Sequence, residues 1–196
     1  MNKTANLKQL TDYLIGLGAK EVVHTEKTYL AHVIGVYRLM EACGCTEELC
    51  LAGLFHSIYG TELFQRFGLP LARRPEVRAL IGERAERLAY LNCAMDRGTL
   101  DGVLDQTEGP YRIVDRLTGK EVHLSGDDFD DLCRVHLYDW LEQIPRWQRW
   151  DYRRDAYRRM AKRLGGAALA AYQRVSAQEA RSARPPEPAV DIENHL

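Results

Sequence analysis

The sequence predicts an all-α fold: a bundle of about seven helices with one small β-hairpin. Two observations lead there. Apolar residues recur at helical spacing in one stretch after another, as in Leu51, Leu54, Phe55 and Ile58 at i, i+3, i+4 and i+7, while only the stretch from Tyr111 to Leu124 alternates. Gly and Pro fall between these stretches, where helices stop. A chain of 196 residues that is 45% hydrophobic and 28% charged has enough material for one buried core.

In order, Leu7, Leu10, Leu14 and Leu17 mark a first amphipathic helix closed by Gly18, and residues 21–25 read as a short link. Thr25 is placed to cap a second helix to about Cys43, with Leu30, Val33, Ile34, Tyr37 and Met40 as its apolar stripe. Gly44 stops it. Thr46 caps a third, with Glu47 and Glu48 at the positive end of its dipole. Its apolar face runs through Ile58, so His56 is expected inside the helix and Gly60 at its end. Pro75 suits the first turn of a fourth helix, which Gly82 splits, with helical sequence to about Met95. Residues 96–109 read as loop. Tyr111 to Asp115 and Glu121 to Leu124 alternate around Gly119 and form the hairpin. Ser125 and Asp128 resemble a capping box ahead of a helix to about Gln143, with Pro145 marking its end. Trp147–Leu164 reads as a basic, aromatic helix, and Gly165-Gly166 separates it from a last one, Ala167 to about Ala180. Residues 1–181 are thus expected as a single helical domain. The segment 182–196, with Pro185, Pro186 and Pro188, is expected as a flexible tail.

Composition narrows the function. A net charge of −1 gives no global case for nucleic acid or a membrane surface, and no apolar run approaches 18 residues. Five cysteines without a CxxC pair read as reduced thiols, mostly core, so a cytoplasmic protein is expected. Arg146, Arg149, Arg153, Arg154, Arg158 and Arg159, interleaved with Trp147, Trp150, Tyr152 and Tyr157, read either as an anion-binding face or as a solvated helix face paired with Asp151 and Asp155.

The candidate chemistry lies in His32, His56 and Asp139, three metal-capable side chains on separate amphipathic segments. Taken singly, each reads more readily as a satisfied core or boundary residue. His32, then Leu54-Phe55-His56-Ser57 after 24 residues, then Leu137-Tyr138-Asp139-Trp140 resembles the HD-domain superfamily, within an uncharacterised bacterial branch carrying Phe-His-Ser-x-Tyr-Gly-Thr-Glu and Asp-Trp-Leu-Glu-Gln. The resemblance spans roughly His24 to Gln143. It implies an HD-domain-like helical bundle that binds metal through a histidine, a His-Asp pair and a later aspartate. This chain has Ser57 where the pair has its aspartate, and a serine hydroxyl is a poor ligand, so the expectation is one ion on His32, His56 and Asp139 rather than two.

The resemblance and the ligand set together imply one divalent transition metal (Fe, Mn, Ni, Co or Zn) and a small, anionic substrate. Three functions follow: a single-metal hydrolase of phosphate-ester type, a mononuclear non-haem iron oxygenase or oxidase, or a non-catalytic binding module. A homo-oligomer is compatible with any of them. Around the triad, Glu62 is a candidate general base or a surface acid. His24 is a candidate for the mouth of the site or an exposed link residue, and Tyr59 a candidate substrate contact or plain buried aromatic. His136, one turn before Asp139, is either a fourth ligand or acid/base or part of the core. His123 is expected to be exposed, and His195 sits in the tail.

Overall fold

A 22-residue helix runs through the middle of the molecule, and the other elements are arranged around it. In the computed structural model, which describes residues 6–24 and 27–182, this is α7, Gly126–Trp147. Val135 to Leu141 is buried at every position, so no side of this segment faces water. A helix buried all round must be enclosed by neighbours, and here they are α2 (Tyr29–Ala42), α3 (Glu47–Leu54), α5 (Glu83–Ala94), α8 (Arg154–Leu164) and α9 (Gly166–Ser182). With α1 (Leu7–Gly16), α4 (Arg74–Ile81) and α6 (Arg97–Gly102), the described residues hold nine α-helices.

Local chemistry sets most boundaries. Asn6 caps α1 with a full capping box to Gln9. Thr28 caps α2 by accepting from the Ala31 N–H, and Thr46 caps α3 by accepting from Leu49; caps of this kind are worth about 1 kcal/mol each. Thr25, the expected cap of α2, lies outside the described residues. Gly82, at φ 90°, separates α4 from α5 as its position suggested, and a side chain there would be strained. Helices α2 and α3 approach closely at Gly53, where an added Cβ would lie 2.4 Å from Met40 Sδ and 3.3 Å from Val36 Cγ1.

The hairpin is β3 (Tyr111–Asp115) antiparallel to β4 (Lys120–Leu124), with Tyr111 opposite Leu124 and Asp115 opposite Lys120. A second, shorter one replaces the expected link over 21–25: β1 (Val23–His24) pairs with β2 (Lys27–Thr28). Strands of two residues are too short to display alternation.

Four expected boundaries are corrected. Residues 96–109 are not all loop: Asp96 accepts from the Thr99 N–H and starts α6. Helix α7 does not stop before Pro145 but continues to Trp147, because a proline in the last turn removes a single bond. The stretch from Trp147 to Leu164 is not one helix. Gln148 and Arg153 both adopt the left-handed conformation, and α8 begins only at Arg154. Helix α3 ends at Leu54, so His56 is not inside it. The tail proposed from Ser182 begins at the end of α9, and residues 183–196 lie outside the described residues. No helix is long and apolar enough to cross a membrane. All five cysteines are free thiols.

Candidate metal centre

The site assembles from three elements that meet beside α7. His32 lies in the first turn of α2, His56 two residues beyond α3, and Asp139 midway along α7. All three are buried. His32 Nε2 lies 3.3 Å from His56 Nε2 and 3.1 Å from Asp139 Oδ1, and His56 Nε2 lies 3.3 Å from the same oxygen. The two imidazoles meet edge to face, at an interplanar angle of 85°. This is the one group of potential ligands so arranged among the described residues.

His56 owes its position to the way α3 ends. Its Nδ1 lies 2.8 Å from the Gly53 carbonyl oxygen, a group the helix would otherwise use internally. Its own carbonyl accepts from Asn92 Nδ2 at 2.8 Å and from the Cys93 thiol at 3.2 Å, both on α5. With the backbone drawn to those partners, the chain proceeds through tight turns, Ile58 N–H to Phe55 O and Gly60 N–H to Ser57 O, instead of continuing α3. A periodicity rule reports which residues are apolar, and these residues stay buried in the turns.

The hydrogen bonds also fix which ring nitrogens carry protons. His56 Nδ1 faces a carbonyl and His32 Nδ1 faces Glu142 Oε2 at 2.5 Å. Both partners only accept, so both Nδ1 atoms carry hydrogen. In the neutral tautomers the two Nε2 lone pairs and a carboxylate oxygen then point at one another with no proton between them. Three acceptors so arranged repel unless a cation sits among them. A point equidistant from the three lies about 1.9 Å from each; bonds from such atoms to zinc-like ions are roughly 2.0–2.1 Å. His32, His56 and Asp139 could therefore hold one small divalent ion. Without an ion, a proton takes that part. Burial, the largest influence on His32, lowers its pKa, but hydrogen bonds to Asp139 and Glu142 outweigh it and the pKa is raised. Burial likewise works against the Asp139 charge, but the two histidines hold that carboxylate well below its usual range.

A surrounding shell holds the ligands. Glu142, one turn beyond Asp139 on α7, accepts from Lys27 Nζ at 3.0 Å and Arg146 Nη2 at 2.7 Å in addition to His32. Its burial is more than offset by these donors, which hold its pKa down at about 2. Gln143 Nε2 donates to Asp139 Oδ1 at 2.9 Å. An added Cβ at Gly35 would lie 2.5 Å from Glu142 Oε1, so that glycine provides the room the carboxylate occupies. Sequence reasoning missed Glu142, although a carboxylate three residues after a candidate ligand shares its helix face. It also missed Gly35 and Asn92, whose roles depend on contacts between helices.

The other candidates are placed as follows. His136 is no fourth ligand. Its Nδ1 lies 3.1 Å from Asn92 Oδ1, its Nε2 2.7 Å from Arg153 Nη1 and 3.4 Å from the Tyr157 hydroxyl. It belongs to a buried chain that runs through Asn92 to the His56 carbonyl. Tyr59 points away from the cluster and donates to the buried carboxylate of Glu86 at 2.9 Å. Glu62 pairs with Arg97, which lines the same cavity as His56. It lies 3.6 Å from Arg97 Nε, half exposed. The His24 backbone is in β1, and its side chain lies outside the described residues, as does His195. His123 is exposed. Ser57 is buried, and its hydroxyl donates to the Tyr29 hydroxyl at 3.3 Å. The arginines after Trp147 are largely paired: Arg154 with Asp151 and Glu179, Arg158 with Asp155, Arg159 with Asp105 and Asp155.

His136 makes stability depend on pH. Burial, assisted by repulsion from Arg153 and Arg97, holds its pKa well below 6.5. As pH falls through about 6.5 the unfolded chain takes up a proton that the folded protein refuses, so stability falls by up to about 1.4 kcal/mol per pH unit. Above that pH this effect vanishes. His32 acts oppositely, since its raised pKa contributes stability that is full below about 6.5 and is lost as pH rises. Comparing wild type with His136→Gln by urea unfolding in chelator isolates the first effect. The stability difference should shift by about 1 kcal/mol in the variant's favour between pH 6.5 and 5.5. A difference that does not change with pH contradicts this account.

The cluster opens onto a cavity of about 280 Å³, which His56 and Asp139 line together with Arg97 and the aromatic rings of Phe64, Trp140, Trp147, Tyr152 and Tyr157. A family described as a domain of unknown function (DUF6817) matches residues 13–97. That similarity takes in His32 and His56 and stops short of Asp139. No curated protein and no solved structure matches the chain.

Proposed function

We propose that the protein is a metal-dependent enzyme acting on a small anionic metabolite, with one divalent transition metal ion on His32, His56 and Asp139 and hydrolysis of a phosphate ester as its reaction. The observation that carries this reading is the meeting of two imidazole Nε2 atoms and a carboxylate oxygen at one buried point. We also infer an HD-domain-like bundle, supported by the order of the ligands along the chain: a histidine on one helix, a histidine after the next, an aspartate on a later one. Ser57 stands where the His-Asp pair has its second member, with its hydroxyl engaged by Tyr29, which favours one ion over two.

When bound, such an ion supplies Lewis acidity and lowers the pKa of coordinated water. The chain's own residues do the rest. Glu142 keeps the His32 proton on Nδ1, and Gln143 holds Asp139 in place. Aromatic rings line the cavity, and the guanidinium groups of Arg97 and Arg66 in it favour an anion.

The set of two histidines and one carboxylate also suits a non-haem iron oxygenase of a small metabolite, the second reading. One measurement separates them: metal content of protein purified without a metal-affinity step. About one equivalent of zinc, manganese, nickel or cobalt, with phosphate release from simple phosphomonoesters, is the expected result. One equivalent of iron with substrate-dependent oxygen consumption moves the reading to the oxygenase. Negligible metal after gentle purification overturns both in favour of a non-catalytic binding module.

A further inference from the structure

The cavity beside the cluster contains two buried donors that the fold leaves short of acceptors. Arg97, in the first turn of α6, is only 8% exposed. Its Nη1 donates to the neutral Tyr152 hydroxyl at 2.7 Å, and the ion pair it makes is with half-exposed Glu62, 3.6 Å from Nε. Arg74 and Arg153 are matched far more closely. Arg74 donates twice to buried Glu86, at 2.6 and 3.0 Å, and Arg153 grips Asp101 with two nitrogens. A guanidinium taken out of water without a close anion is poorly compensated. The second donor is the Trp140 indole N–H, buried with no hydrogen-bond partner. Arg97 and Trp140 line the same cavity, along with His56 and Asp139.

The other walls are the rings of Phe64, Trp147, Tyr152 and Tyr157 and the polar side chains of Ser57, Thr61, Gln143 and the exposed Arg66. At about 280 Å³ the space falls at the small end of ligand pockets, which run roughly 300–1,000 Å³. It has room for one ring and its substituents, and too little for a dinucleotide. Val23 and Leu63, two of the most exposed aliphatic side chains among the described residues, also line it.

We propose that this cavity is the recognition subsite for a small oxyanion, phosphate or carboxylate, carried on a single planar ring, with the Arg97 fork gripping the oxyanion, the Trp140 N–H adding a hydrogen bond and the aromatic walls enclosing the ring. This deepens the metal-enzyme reading and rests on it for the reaction, though not for the binding. Arg97 is a specificity-determining residue here. The fork matters because guanidinium meets an oxyanion with two parallel bonds, which an ammonium does not.

The test is calorimetric titration with phenylphosphonate and methylphosphonate, neither of which is a hydrolysable ester. Wild type should bind phenylphosphonate at least tenfold more tightly than methylphosphonate. Arg97→Gln should weaken phenylphosphonate binding at least tenfold, Arg97→Lys should restore only part of it, and Trp140→Phe, which keeps a ring but removes the N–H, should cost a few-fold. Equal affinity of the two ligands, no binding of either, or wild-type affinity in Arg97→Gln overturns the proposal. Should circular dichroism show that Arg97→Gln does not fold, Arg97→Lys decides in its place. The same titrations on Asp139→Asn separate the two readings. Arg97-dependent binding, in a protein whose wild type holds no metal, leaves the subsite standing and sinks the metal enzyme. Metal in the wild type without Arg97 dependence does the reverse.

Discussion

Asp139→Asn should strip the protein of its metal while leaving the bundle folded. Wild type dialysed against a weak chelator is expected to keep close to one equivalent per chain; the variant should keep less than about a tenth, because losing a ligand costs more than the 10–100-fold that losing an outer partner does. The physical reason lies in charge. His32 and His56 offer neutral nitrogens, so among the described residues Asp139 is the one anion at the central point. An amide of the same shape keeps an oxygen there and removes the charge that balances a dication. The fold should survive, because Asn fills the same volume on a helix held by Val135, Leu137, Trp140 and Leu141. The variant also relieves a buried carboxylate that, without metal, relies on a protonated histidine. Metal analysis beside circular dichroism checks both halves of the expectation. A folded Asn variant that retains stoichiometric metal places the ion elsewhere and removes the basis for the proposed chemistry.

How much of this site could be read from the sequence differs from residue to residue. His32, His56 and Asp139 stood out as metal-capable side chains on amphipathic segments whose order along the chain resembles the HD-domain superfamily, and the cluster brings together the same three. The helices whose caps the sequence displays, α3 and α7, were legible at their starts, since Thr46 and Ser125 act over three residues. What escaped was whatever a distant partner decides. Helix α3 stops at Leu54 because α5 supplies Asn92 and Cys93 to the His56 carbonyl, and no pattern within residues 47–60 records that. Arg153 turns to the left-handed conformation where its guanidinium meets Asp101 and His136, and the helix expected from Trp147 onward is broken there. His136 and Asp139 lie on adjacent turns of one helix. Their environments separate them: one faces an arginine and an amide, the other two imidazoles.

Glu142→Gln should lower metal affinity by about 10–100-fold although Glu142 touches no metal. As a carboxylate it accepts only, so the His32 proton must sit on Nδ1 and the Nε2 lone pair stays free for the ion. A glutamine presents an NH2 group as readily as an oxygen, and with the NH2 toward Nδ1 the proton moves to Nε2 and blocks coordination. The charge also matters, since Lys27 and Arg146 both converge on this carboxylate and would face His32 unneutralised without it. Gly35→Ala tests the same point without altering any polar group. The new Cβ would fall 2.5 Å from Glu142 Oε1 and 2.9 Å from its Cδ, so the carboxylate must withdraw from His32. Helix α2 meanwhile gains up to about 1 kcal/mol of propensity from replacing glycine. The expected pair of results is weaker metal binding in competition with a chromogenic chelator, and a metal-free melting temperature that holds or rises. If Gly35→Ala and Glu142→Gln both bind metal as wild type does, the His32 tautomer is set by something other than Glu142, and α7 contributes to the centre only through Asp139.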